Sequence, residues 1–83
     1  MLVNVTLRYL SGTPVKITRE ESVRPGCTAG ELSASVILSE ENNKAITFSG
    51  ASIVSVVNGQ VVSADHVLKE GDHITIMPVA AAG

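Results

Sequence analysis

One stretch of this 83-residue chain carries a clear helix-start signal, the "TAGE" at 28–31. Its other clearly periodic segments repeat every two residues. Thr28 has the side chain of a helix cap, and Glu31, three residues on, can reach back as in a capping box. A single helix covers one face of a sheet. The chain is therefore expected to fold as an α+β domain, a sheet of four to five strands packed on one main helix, with the other sheet face open to solvent or a partner.

The strands follow from alternation. Val3, Val5, Leu7 and Tyr9 interleave with Asn4, Thr6 and Arg8, the period of a half-buried strand. The "SGTP" at 11–14 is a turn signal, and Val15 and Ile17 resume the pattern to give a first hairpin. After "RPG" at 24–26 comes the helix, with Leu32 and Val36, joined by Ala29 and Ile37, as its apolar stripe. Asn42–Asn43 are expected to close it in a left-handed cap. Gly30 and three serines weaken the helix, so packing is expected to hold it. Ile46 and Phe48 read as core plugs in the connection over 44–51. Ile53–Val57 is a strand, and Asn58–Gly59 is a strong two-residue hairpin signal, because a type I′ turn needs positive φ at both central positions. Leu68 is a buried plug before the "EGD" turn at 70–72. His73–Val79 is the last strand, Ile74 and Ile76 facing one way and Thr75, Met77 and Val79 the other. The expected core is Val3, Val5, Leu7, Ile17, Leu32, Val36, Ile74 and Ile76.

Composition narrows the function. There is one Tyr, one Phe and no Trp, so the core must be aliphatic; a domain of this size buries only about 60% of its unfolded surface. The net charge is -2 with no basic cluster, which argues against nucleic acid as a partner. No segment has the length or apolarity of a membrane span, and a single cysteine, Cys27, fits a reducing cytoplasm. Cys27 lies just before a helix start, where the helix dipole is expected to lower its pKa, but no base accompanies it. His66 and His73 read as exposed residues flanking turns, with no third ligand to complete a metal site. No bound cofactor or metal is expected, and the body of the chain shows no active site.

The reactive group that remains is the α-carboxylate of Gly83, at the end of "MPVAAAG". Ala80, Ala81 and Ala82 add no binding energy, but side chains no larger than methyl let an extended backbone thread a narrow channel, and a closing glycine leaves the carboxylate unhindered. A carboxylate accepts a nucleophile only once activated, for instance as an adenylate made from ATP by another protein. A frayed end is the alternative reading of the same composition.

The segment "VVNGQVVSADHVLKEGDHITIMPVAAAG", residues 56–83, resembles the closing segment of the ubiquitin-like sulfur-carrier proteins, the family that holds the molybdopterin synthase small subunit and the thiamine-thiazole sulfur carrier. The shared marks are the "VNG" hairpin at 57–59, "LKEGD" at 68–72, an apolar strand reaching Pro78, and a terminal glycine. The resemblance implies a β-grasp domain over 1–83 with a flexible reactive tail at 80–83. It implies that an E1-like enzyme adenylates Gly83 with ATP, and that the resulting thiocarboxylate donates sulfur to a synthase, such as a molybdopterin synthase large subunit or a thiazole synthase. Chain length favours the molybdopterin type. On this reading the chain is a protein cosubstrate and not an enzyme. Counting back from the end places Met77, with Pro78 and Val79, as a partner contact. One departure stands out: family tails usually close Gly-Gly, and here Ala82 precedes Gly83. A non-catalytic interaction subunit and a lysine-conjugated protein modifier are the other two functions compatible with such a fold.

Overall fold

The structure, a computed structural model, describes residues 1–80. The element order is β1 (Leu2–Ser11), β2 (Thr13–Ser22), α1 (Ala29–Lys44), β3 (Ala51–Val57), β4 (Gln60–Val62) and β5 (His73–Ala80). The five strands form one mixed sheet in the order β2-β1-β5-β3-β4. Every pairing is antiparallel except β1 with β5, which run parallel from Asn4↔His73 to Leu7↔Ile76. The first and last strands thus lie side by side in the middle of the sheet, a non-local pairing that must wait for the rest of the chain.

The inner face is built as the alternation predicts. Val3, Val5, Leu7 and Tyr9 of β1 meet Ile74 and Ile76 of β5, and Ala29, Leu32 and Val36 of α1 close over them, with Leu68 plugging one end. Ile74 and Ile76 have no exposed surface at all. Full burial of such a side chain contributes roughly 1.5–3 kcal/mol, so the register of β5 is strongly fixed. Ile17, expected in the core, packs against it but is only partly buried, because β2 is an edge strand with no neighbour on its outer side. Ile46 and Phe48 are likewise partly buried against the core, Phe48 meeting Tyr9 edge to face with centroids 4.9 Å apart.

The Asn58–Gly59 turn has the predicted left-handed pair, φ 50° and 86°. Asn58 does more than turn the chain. Its Oδ1 accepts from His73 N at 3.0 Å and its Nδ2 donates to Asp72 at 2.9 Å, tying the hairpin to the start of β5. The N–H of Lys69, donating to the same Asp72 carboxylate, holds that group below the usual aspartate range.

The helix begins as expected: Thr28 Oγ1 accepts from Glu31 N at 3.2 Å, and the Glu31 carboxylate returns to the Thr28 hydroxyl and to Arg24. It does not end at Asn42–Asn43. It runs to Lys44, and Ala45 takes the left-handed cap at φ 52°. Tertiary contacts override the asparagine signal here. Glu40 is buried under Tyr9 and bridged by Lys44, and the Glu41 carboxylate accepts from Phe48 N at 2.7 Å, so the last turn is needed to place both acids.

Gly30 also has a role that sequence reasoning assigned only a cost. The loop at 63–66 lies directly on the helix N-terminus, where Ala29 N donates to His66 O and Gly30 N to Ala64 O, both at 2.8 Å. A Cβ on Gly30 would sit 2.8 Å from Ala64 Cβ and 2.9 Å from Ala64 O. Two of the free N–H groups at the helix start are thereby capped by backbone, which closes that end to an anion. Gly30→Ala should accordingly destabilise the fold by about 1–3 kcal/mol, the usual cost of overpacking, although alanine is the better helix former by about 1 kcal/mol. Urea unfolding measures this as a lower midpoint at unchanged slope.

Candidate functional site

Whatever chemistry the end of this chain performs, β5 delivers it. The strand runs to Ala80, one residue beyond the sequence expectation, and pairs there with Ala51 of β3. Ala81, Ala82 and Gly83 lie outside the described residues. On its other side, β5 parts from β1 after Leu7↔Ile76, although both strands continue.

Backbone parity explains the parting. The Asp72 carbonyl accepts from Asn4 of β1, whereas the His73 carbonyl accepts from Asn58 on the β3 side. Even-numbered residues of β5 therefore address β1 and odd-numbered ones β3. Pro78 is even-numbered, so its ring replaces the N–H that would have bonded to the carbonyl of Arg8. A proline ends a ladder wherever its nitrogen faces the partner. The two strands splay, and a groove of about 690 Å³ opens between Arg8, Tyr9 and Leu10 on one side and Met77, Pro78 and Val79 on the other, with residues 47–51 also lining it.

The groove meets the open face of the sheet, which divides in two. Its β3–β4–β5 half carries Val54, Val56, Val61, Met77 and Val79, with Val61 76% and Val79 43% exposed. A contiguous apolar patch of this kind is characteristic of an interaction surface. Its β1–β2 half is polar in the middle, with Thr6, Arg8, Lys16, Thr18 and Glu20, and carries exposed Leu2 and Leu10 at its two ends. Thr6 is buried there, because its hydroxyl bonds to His73 Nε2 at 2.9 Å and contacts Thr18 Oγ1 at 3.4 Å. Met77 and Val79 lie on the open face as expected, and Pro78 points to the inner side, where it lines the groove.

Behind the groove, Tyr9 OH donates to Glu40 Oε2 at 2.5 Å, and Lys44 stands 3.3 Å from the same oxygen. Burial, and then the bonded carboxylate, push the Tyr9 phenol up, so it stays a donor at neutral pH. This trio rigidifies one wall, and sequence periodicity could not have found it, since Glu40 is a charged residue on the buried stripe. Cys27 departs from expectation. Burial, reinforced by the Glu31 carboxylate, raises its pKa where the helix dipole was expected to lower it, and the thiol sits neutral in the core. Among the described residues no three His, Cys, Asp or Glu side chains gather as a metal site. No helix is long and apolar enough to cross a membrane.

Against this geometry the comparisons are decisive. The ThiS family model matches residues 1–83. This chain belongs to the ThiS family. That is the ubiquitin-like sulfur-carrier family to which residues 56–83 pointed. Among solved structures, a Pyrococcus furiosus protein assigned as molybdopterin converting factor, subunit 1, is similar at TM-score 0.60 and 25% identity, over 93% of this chain and 98% of its own. SAMP1 from Haloferax volcanii shares the fold at TM-score 0.59 and 13% identity, over 96% of this chain and 99% of its own. Comparison with the curated proteins gave no match. The β-grasp architecture expected of the family is the one observed.

If Pro78 holds the groove open, Pro78→Ala should let residue 78 donate to Arg8 and extend the ladder by one bond. Hydrogen exchange should find the new amide protected to the level of its neighbours in β5. An amide exchanging as fast as an exposed loop would place the cause of the splay in residues 47–51 instead.

Proposed function

We propose that this chain is a sulfur carrier and not an enzyme, and that the Gly83 carboxylate is its reactive group. The observation that carries the proposal is the family match through to Gly83, on a fold whose last strand lies at the centre of the sheet. Three residues follow Ala80, the last of them Gly83, at most about 11 Å of extended chain. The carboxylate can therefore enter a partner's catalytic site only if that partner docks against the end of β5. The groove and the valine-rich half of the open face, with Met77, Pro78 and Val79 at their junction, supply the docking surface.

The chemistry belongs to the partner. A carboxylate oxygen of Gly83 attacks the α-phosphorus of ATP in an E1-like enzyme, forming an acyl adenylate and releasing pyrophosphate. Hydrosulfide then attacks the carbonyl carbon, the bond from that carbon to the phosphate oxygen breaks, AMP leaves, and a thiocarboxylate remains. The product passes its sulfur to a cofactor-building synthase. The likeness to a chain assigned as molybdopterin converting factor favours a molybdopterin synthase large subunit over a thiazole synthase. Ala80 to Ala82 present only methyl groups to the channel; Ala82, where Gly is usual in the family, restricts φ one residue from the reacting carbon.

The test is ATP–pyrophosphate exchange by the cognate activating enzyme. Deleting Gly83 should abolish exchange without altering folding. Ala82→Gly should raise exchange or leave it unchanged. Met77→Ala and Val79→Ala should weaken enzyme binding, with folding stability changed by no more than about 1 kcal/mol at exposed Val79 and by less than the roughly 2–5 kcal/mol of a core truncation at half-buried Met77. Equal exchange by the wild type and the deletion would remove Gly83 from the mechanism.

A further inference from the structure

The free edge of β2 carries a self-complementary charge pattern, and we propose that two copies of this chain pair there, β2 against β2, into one continuous ten-stranded sheet. Met1 and Val23 exchange both backbone bonds, N to O and O to N, at 2.8 Å. That fixes the odd-numbered residues of the β1–β2 ladder as its hydrogen-bonded pairs. The even-numbered residues of β2, from Pro14 to Ser22, therefore aim their backbone groups outward along an edge that pairs with no other strand among the described residues. Ten residues is a long edge to leave unpaired.

The side chains on the open face select one register. An antiparallel pair centred on Thr18 sets Thr18 opposite Thr18 of the second copy. Lys16 then faces Glu20, and Glu20 faces Lys16. The even-to-even registers nearest to it put Lys16 or Glu20 opposite Thr18, and those a further step away oppose lysine to lysine or glutamate to glutamate. An edge lysine ordinarily deters pairing, but here a glutamate answers it in a single alignment. The monomer also leaves a charge unanswered. Arg8 and Lys16 stand directly opposite each other on adjacent strands, and among the described residues neither has an acidic partner within ion-pair distance. Like charges in that position repel. Glu20 of the second copy enters the same row beyond Lys16 and neutralises it. On the inner side, the half-buried Ile17 gains further cover at the open edge. The end of β5 lies two strands away, so the β5 wall of the groove stays free in both copies, while Pro14 and Val15 at its far rim belong to the paired strand.

Sedimentation equilibrium of the full chain tests the proposal by charge reversal. Wild type should dimerise, and added salt should weaken the dimer. Lys16→Glu and Glu20→Lys each turn two attractive pairs per dimer into repulsive ones and should weaken association by about tenfold or more. The double reversal restores every pair and should recover the dimer, as should an equimolar mixture of the two single variants, which also shows that each is folded. A wild type that stays monomeric at millimolar concentration would overturn the proposal. So would a dimer indifferent to the single reversals, or a double reversal no better than the singles.

Discussion

The placement of β5 between β1 and β3 is the constraint on which the structure depends. Ile74 and Ile76 are wholly buried, so the strand cannot slip by one residue without turning both to the open face. Everything functional hangs from that fixed point. The β3 ladder carries the strand to Ala80, while the β1 ladder stops where Pro78 has no N–H to give. One strand is thus held firmly on one side and released on the other. A groove forms beside the exit of the chain, with the 47–50 connection completing its wall.

The single helix sets the second constraint. It covers the inner face only, and its N-terminus is capped by the 63–66 loop. The open face is left to valines and a methionine on one half and to threonines and charges on the other. The two halves suit different partners. An apolar, adaptable patch beside the end of β5 fits the enzyme partner proposed for this carrier. A patterned, charged edge two strands away fits a copy of the chain itself.

Much of this was legible in the sequence because it is local. Alternation placed β1, β2 and β5, Asn58–Gly59 placed the tight turn, and Thr28 with Glu31 placed the helix start. What escaped depends on contacts between distant segments. The helix end moved from Asn42–Asn43 to Ala45 because Tyr9 and Phe48 recruit Glu40 and Glu41. Gly30 read as a weak helix former until Ala64 was found lying against it. Alternation alone puts Thr6 on the open face, and only the distant His73 and the facing Thr18 bury it there. Cys27 reads as lacking a base, and it is its burial that turns the expected fall in its pKa into a rise. At the site, Met77 and Val79 could be assigned to the open face by parity alone. The groove could not, since it needs the β1–β5 pairing and the side of Pro78 that faces β1.

The central claim is that the chain carries sulfur on the carboxylate of Gly83, and intact-mass spectrometry after incubation with the cognate activating enzyme, ATP and a sulfur donor tests it most directly. The account predicts a product heavier by the difference between one sulfur and one oxygen, with the change confined to the C-terminal peptide. A mass that stays unchanged while the enzyme thiocarboxylates another carrier, or products joined through Gly83 to lysines of other proteins in place of a thiocarboxylate, would contradict it.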